Sequence, residues 1–127
     1  MAETAAANAS TTKASSSSQG SYNFSDPLFL HLVENPRAIL TSQPLIGREN
    51  YLAWARSMRK SLIAKNKLGF IKGSLTISSL LVNSPTATQA WVCANNMVGT
   101  WIINSVSPKL QASIIYKDTA LEIWTNL

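Results

Sequence analysis

Side chains able to do covalent or metal chemistry are sparse in this chain. There is one histidine, His31, and one cysteine, Cys93. A structural Cys/His zinc site takes about four such ligands, so a single chain cannot build one. His31 stands in a Pro-flanked segment and reads as a surface residue, and Cys93 stands inside an apolar helical pattern and reads as a buried structural thiol. The six carboxylates, Glu3, Asp26, Glu34, Glu49, Asp118 and Glu122, are scattered, with none paired at helical spacing on a long helix. Neither a phosphate-cradling G-x-x-x-x-G-K-[ST] run nor a dinucleotide-type G-x-G-x-x-G run occurs. We therefore expect no catalysis, no metal, no cofactor and no small-molecule substrate.

Positive charge is the one chemical feature that concentrates. The formal net charge is +5, and between Arg48 and Lys72 there are seven basic residues against one acid, Glu49. From Gly73 to Pro108 there is no charged residue at all. Arg56, Arg59, Lys60, Lys65, Lys67 and Lys72 are thus candidate contacts to phosphate or to an acidic partner, the plainer alternative being a solvated helix face. No aromatic ring is interleaved with them, because Tyr51 and Trp54 fall on the other side of the same helix. Base stacking is poorly served, which leaves non-specific contact with RNA or DNA backbone.

The element that must position these residues runs from Asn50 to Lys67. At 100° per residue, Tyr51, Trp54, Ala55, Met58 and Leu62 share a sector of roughly 100°, the stripe of a core-facing helix. Arg56, Lys60 and Lys67 fall together opposite. Asn50 is placed as N-cap, Lys65 and Lys67 suit the C-terminal dipole, and Gly69 is placed to stop the helix in the left-handed conformation. Phe70 and Ile71 should then pack back on its last turn.

A second long helix is expected over Thr88–Val106. Trp91, Ala94, Val98, Trp101, Ile102 and Ser105 share one face, Val92 and Ile103 add apolar surface beside it, and the polar face holds Asn96, Thr100 and Asn104. Such a helix is either central in a bundle or part of an interface. Ser107-Pro108 restarts a helix, Ser as N-cap and Pro at the first position, with Leu110, Ile114, Ile115 and Tyr116 as its apolar residues. Thr119-Ala120-Leu121-Glu122 is a capping-box pattern opening a last helix with Leu121, Ile123, Trp124 and Leu127. That helix has scarcely two turns before Leu127, which suggests the front part of something longer.

Upstream, residues 1–25 are Ala, Ser, Thr and Asn with little else, too poor in apolar area to offset the entropy of ordering, and are expected to be a disordered tail. From Asp26 to Glu49, Pro27, Pro36 and Pro44 recur too often for a helix. We expect an extended lead-in there, with short strands near 38–41 and 44–46. Residues 74–86 read as a loop or a strand. Trp54, Trp91, Trp101 and Trp124 are the largest core pieces. Charged residues make up 13% of the chain, about half the usual share of roughly 25%, so surface should be buried against another molecule. There is no apolar signal core near Met1 and no 18-residue apolar run; the expected location is the cytoplasm or nucleus.

The ordered combination of these residues resembles the Copia-like N-terminal region of plant retrotransposon Gag polyproteins. The run is Asp26 to Leu30, Ser42-Gln43-Pro44-Leu45 with Gly47, Asn50-Tyr51 and Trp54, then Met58-Arg59, Leu62, Ala64 to Ile71 and Gly73. It continues with Trp91, Asn95 to Val98, Trp101 to Pro108, Thr119-Ala120, Glu122-Ile123-Trp124 and Leu127. In the family Pro or Ser usually stands near Leu32, the loop after Gly73 usually carries another Pro, and the pattern continues into further helices and often a zinc knuckle. The resemblance implies an all-α, retroviral capsid-like helical bundle over residues 26–127, incomplete at its C-terminus, that self-associates around RNA into virus-like particles. Tyr51, Trp54, Met58, Leu62, Phe70, Trp91, Trp101 and Trp124 are its expected core and family-motif residues. This reading includes a domesticated or decayed fragment of the element; the competing readings are a non-specific RNA- or DNA-binding module and a host protein-interaction adaptor.

Overall fold

The computed structural model describes residues 26–29, 34–79 and 82–127. The expected tail over 1–25 lies outside these residues, as do Leu30, His31, Leu80 and Leu81. Among the described residues there are five α-helices: α1 Tyr51–Ala64, α2 Gly69–Lys72, α3 Pro85–Asn104, α4 Pro108–Ile114 and α5 Ala120–Thr125. The fold is all-α, as expected.

In place of the strands expected at 38–41 and 44–46 there is an isolated parallel bridge between Leu45 and Val106. Leu45 N–H donates to Ser105 O at 2.9 Å, and Ser107 N–H donates to Leu45 O at 2.9 Å. The other edge of this segment is closed by a side chain. Asn50 accepts from Ile46 N–H at 3.0 Å and donates through Nδ2 to Pro44 O at 2.8 Å, so no second strand can pair there. That use of Asn50 replaces the capping bond expected of it, since its side chain makes none to α1.

Helix α1 buries the anticipated stripe, with Trp54, Ala55, Met58 and Leu62 inside and Tyr51 partly covered. Its end differs from expectation. The left-handed residue is Asn66, with φ 58°, not Gly69, which instead opens α2. Asn66 N–H donates to Ile63 O at 2.9 Å and Lys67 N–H to Leu62 O at 2.7 Å, the paired bonds of a Schellman ending. Asparagine tolerates the left-handed region better than other non-glycine residues, and here it ends the helix three residues before the glycine. As expected, Phe70 and Ile71 are buried; Gly73, at φ 85°, then reverses the chain.

Residues 73–79 form turns, and α3 starts at Pro85, one turn earlier than expected. Ser84 caps it, accepting from Ala87 N–H at 3.1 Å, with proline at the first position. The predicted face of α3 is buried: Trp91, Ala94, Val98, Trp101, Ile102 and also Ser105. Each buried indole N–H finds a backbone carbonyl: Trp54 donates to Ser105 O at 2.8 Å, Trp91 to Leu75 O at 3.2 Å, and Trp101 to Asn35 O at 2.8 Å. Three loops are thereby tied to the core by their main chain.

Helix α4 begins at Ser107-Pro108 as predicted and buries Ile114, but Ile115 and Tyr116 are exposed, the helix having ended before them. The capping box of α5 is complete, with Thr119 accepting from Glu122 N–H and Glu122 accepting from Thr119 N–H, each at 3.1 Å. Short as it is, α5 packs against both α2 and α3. A Cβ on Gly99 would stand 3.2 Å from Ile123 Cδ1, so the absence of a side chain lets α5 approach α3 this closely. Trp124, partly buried, stacks on Trp54 with ring centroids 5.5 Å apart.

Candidate functional site

The six candidate cations separate into two groups. Arg56, Arg59 and Lys60 are exposed on the solvent side of α1, and Lys72 is exposed at the end of α2. Lys65 and Lys67 lie past the end of α1 and turn inward, which corrects their placement on the basic face. Lys65 Nζ pairs with Glu34 Oε1 at 3.0 Å and sits 4.9 Å from the centre of the Trp101 ring. Lys67 is 2% exposed, and its ammonium donates to Phe29 O at 2.6 Å and to Lys65 O at 3.3 Å. A long side chain beyond a Schellman turn no longer follows the helical wheel. Both lysines instead reach across to the lead-in and fix it against the bundle.

Burial pushes the Lys67 ammonium below the usual lysine value of 10.5; Glu34 and Asp26 pull it back up, and Lys65 lowers it further. The folded chain therefore holds this proton less tightly than the unfolded chain does. Stability should rise as pH climbs through the lowered value toward 10.5, and the gain should be complete above it. Comparing chemical denaturation of the wild type with Lys67→Met over this range isolates the effect from other titrating groups. The wild type should gain relative to the variant as pH rises, and a constant difference would mean that Lys67 is solvated.

Helix α3 presents the opposite kind of surface. Gln89, Val92, Cys93, Asn96 and Asn104 are exposed along one side, with Thr100 and Ile103 half-covered beside them, and none carries a charge. Cys93 is therefore not the buried thiol expected but a surface residue. The wheel already placed Asn96, Thr100 and Asn104 here; Cys93 lies between Gln89 and Asn96 on the same line. Asn95, one position away, is buried and bonds inward.

Two exposed residues were not anticipated as part of any surface. Leu52 and Ile63 are 81% and 58% exposed and lie on the same side of α1 as Arg56, Arg59 and Lys60. Their spacing carries the signal, since at 100° per residue both fall in the sector of the three cations. The cleft beside Trp54, lined by Thr41, Ser42, Gln43, Asn50 and Ser57, contains no ionisable side chain. Among the described residues no three His, Cys, Asp or Glu side chains gather as metal ligands, and no helix is long and apolar enough to cross a membrane.

Residues 31–76, which include α1 and α2, match the family described as the Gag-polypeptide of LTR copia-type. No curated protein and no solved structure matches the chain. The matched stretch contains the whole exposed basic side of α1, the two inward-turned lysines and the residues that end the helix. Over residues 31–76 the chain is thus similar to a Copia-type retrotransposon Gag region.

Proposed function

We propose that this chain is a non-enzymatic structural domain of a Copia-type Gag polypeptide that works in the cytoplasm by pairing with copies of itself through α3, as a step towards particle formation. The observation that carries this reading is the charge-free solvent side of α3, in a chain whose charges all lie outside Gly73–Pro108. The centre of a protein interface is depleted in charge, because each ion taken from water must be compensated. Two copies of α3 related by a two-fold axis meet like with like, which costs little when the side chains are Gln89, Val92, Cys93 and Asn96. The same symmetry applied to α1 would set Arg56, Arg59 and Lys60 against themselves. Non-specific RNA binding, the other reading, keeps those three cations and Lys72 but has no stacking ring among them.

Sedimentation of the full chain over a concentration series, without nucleic acid, tests the reading. Reversible, discrete association is expected. Val92→Arg and Asn96→Arg should each weaken it at least about tenfold, the penalty of placing unpaired cations at an interface. Both sites are exposed, so melting should shift little. Cys93 supplies a second readout, since mild oxidation should trap a disulfide dimer if the α3 surfaces meet. Wild-type association in both variants would overturn the assignment of α3, and a monomer at every concentration would overturn self-association itself.

A further inference from the structure

We propose that the solvent side of α1 is a docking surface for an acidic amphipathic helix of a different protein. Leu52, Arg56, Arg59, Lys60 and Ile63 fall within a sector of roughly 100° at 100° per residue, and all five are exposed. The surface is a row of three cations closed at each end by an aliphatic side chain, with no acid among them. Leu52 and Ile63 are eleven residues apart, about 16 Å along a helix rising 1.5 Å per residue.

Charge and shape together select the occupant. A second copy is disfavoured because pairing α1 with itself opposes like charges, and the exposed carboxylates Glu49, Asp118 and Glu122 are spread over separate elements without forming a stripe. A phosphate backbone would use the cations and leave Leu52 and Ile63 in water, although they are 81% and 58% exposed and would gain from cover. A lipid surface asks for cations flanking the aliphatic residues; here the cations lie between them, and insertion would draw Arg56 in as well. An α-helix with Leu or Ile eleven residues apart and Asp or Glu between them on the same side satisfies both features. It would bury both anchors while its carboxylates meet Arg56, Arg59 and Lys60 at the bidentate or end-on geometry that guanidinium and ammonium groups favour.

The probe is a fluorescein-labelled 18-residue Ala-rich peptide with two Leu eleven positions apart and Glu at the intervening positions of that side. Its anisotropy is measured against the full chain at about 0.15 M salt, where distant surface charges are screened. Saturable binding is expected, weakened about tenfold by Leu52→Ser with Ile63→Ser, the loss of two apolar anchors. Arg56→Glu with Lys60→Glu should weaken it further, and a peptide with Lys in place of Glu should not bind. A single-stranded oligouridylate run in parallel separates phosphate attraction from docking. The proposal is overturned if the acidic peptide does not bind, or if binding ignores the Leu52 and Ile63 substitutions. It is equally overturned if the oligouridylate binds more tightly than the peptide through the same arginines. The Val92→Arg variant should bind the peptide as the wild type does, so failure of α3 pairing and failure of α1 docking are separable. Melting curves of the α1 variants should overlay the wild type, since every substituted residue is exposed.

Discussion

Trp54→Ala is expected to lower the unfolding free energy by about 3–5 kcal/mol, a large share of the roughly 5–15 kcal/mol of a domain of ordinary stability. Trp54 is 3% exposed, stacks on Trp124 at 5.5 Å and donates its indole N–H to Ser105 O at 2.8 Å. The truncation removes three things together: the apolar area, the partner of the Trp124 ring, and the link from α1 to the turn after α3. Ser105 O keeps its bond from Leu45 N–H, so most of the loss is packing rather than an orphaned carbonyl. Trp54→Phe separates the two contributions. It keeps much of the volume and should cost far less, with the difference from alanine reporting the cavity. Equilibrium denaturation of wild type and both variants measures this, and an unchanged transition in Trp54→Ala would remove Trp54 from the core.

The same tryptophan shows why the helices were legible. Apolar residues at spacings of three and four leave little choice about which side of α1 or α3 faces inward, and Trp54, Met58, Leu62, Trp91, Val98 and Trp101 are all buried. The starts of α4 and α5 were equally readable: Pro108 presets the first turn of α4, where Ser107 holds the N-cap position without a side-chain capping bond, and Thr119 and Glu122 cap α5 through their side chains. The Ser-Pro rule applies at Ser84-Pro85 as well. The apolar pattern of α3 begins later, at Trp91, and periodicity alone therefore placed its start at Thr88.

What local pattern could not supply was the destination of polar side chains that act across the fold. Asn50, Asn95, Lys65 and Lys67 all bond main chain or side chains more than one element away, or across a tight turn, and nothing in their spacing announces it. Asn66 and Gly69 are three residues apart, and either could have ended α1. The outcome follows from packing: with Asn66 taking the left-handed turn, Gly69 is free to lie against Leu75, whose Cβ would stand 3.1 Å from a Cβ at that position. For the candidate surfaces, charge was legible and accessibility was not. Two of six cations turn inward, and Leu52 and Ile63, which alter the chemistry of α1, lie outside the apolar stripe that marks its core side.

Asn95→Ala should have the second largest effect, about 2–3 kcal/mol, although no apolar core residue is lost. Asn95 is 5% exposed; its Oδ1 accepts from Ala120 N–H at 2.9 Å, and its Nδ2 donates to Asp118 O at 3.4 Å. Ala120 is the first residue of α5 and is 0% exposed, so its N–H is one of the donors that a helix start leaves without an intrahelical partner. Removing Asn95 takes away the side-chain acceptor of that buried donor, and a buried donor left without its partner carries its desolvation penalty. The capping box at Thr119 satisfies other donors and cannot move to cover this one. Because α5 packs against both α2 and α3, the loss should spread beyond the helix that suffers it. Hydrogen exchange distinguishes the two extents: amides of α5 should exchange faster in Asn95→Ala, and those of α2 should follow. Asn95→Asp keeps the acceptor but places a carboxylate beside Asp118 O, so it should also destabilise, and less at low pH, where the acid form can donate. If Asn95→Ala leaves exchange of α5 unchanged, the carboxamide is a bystander and the contacts of Ile123 and Trp124 alone hold the helix.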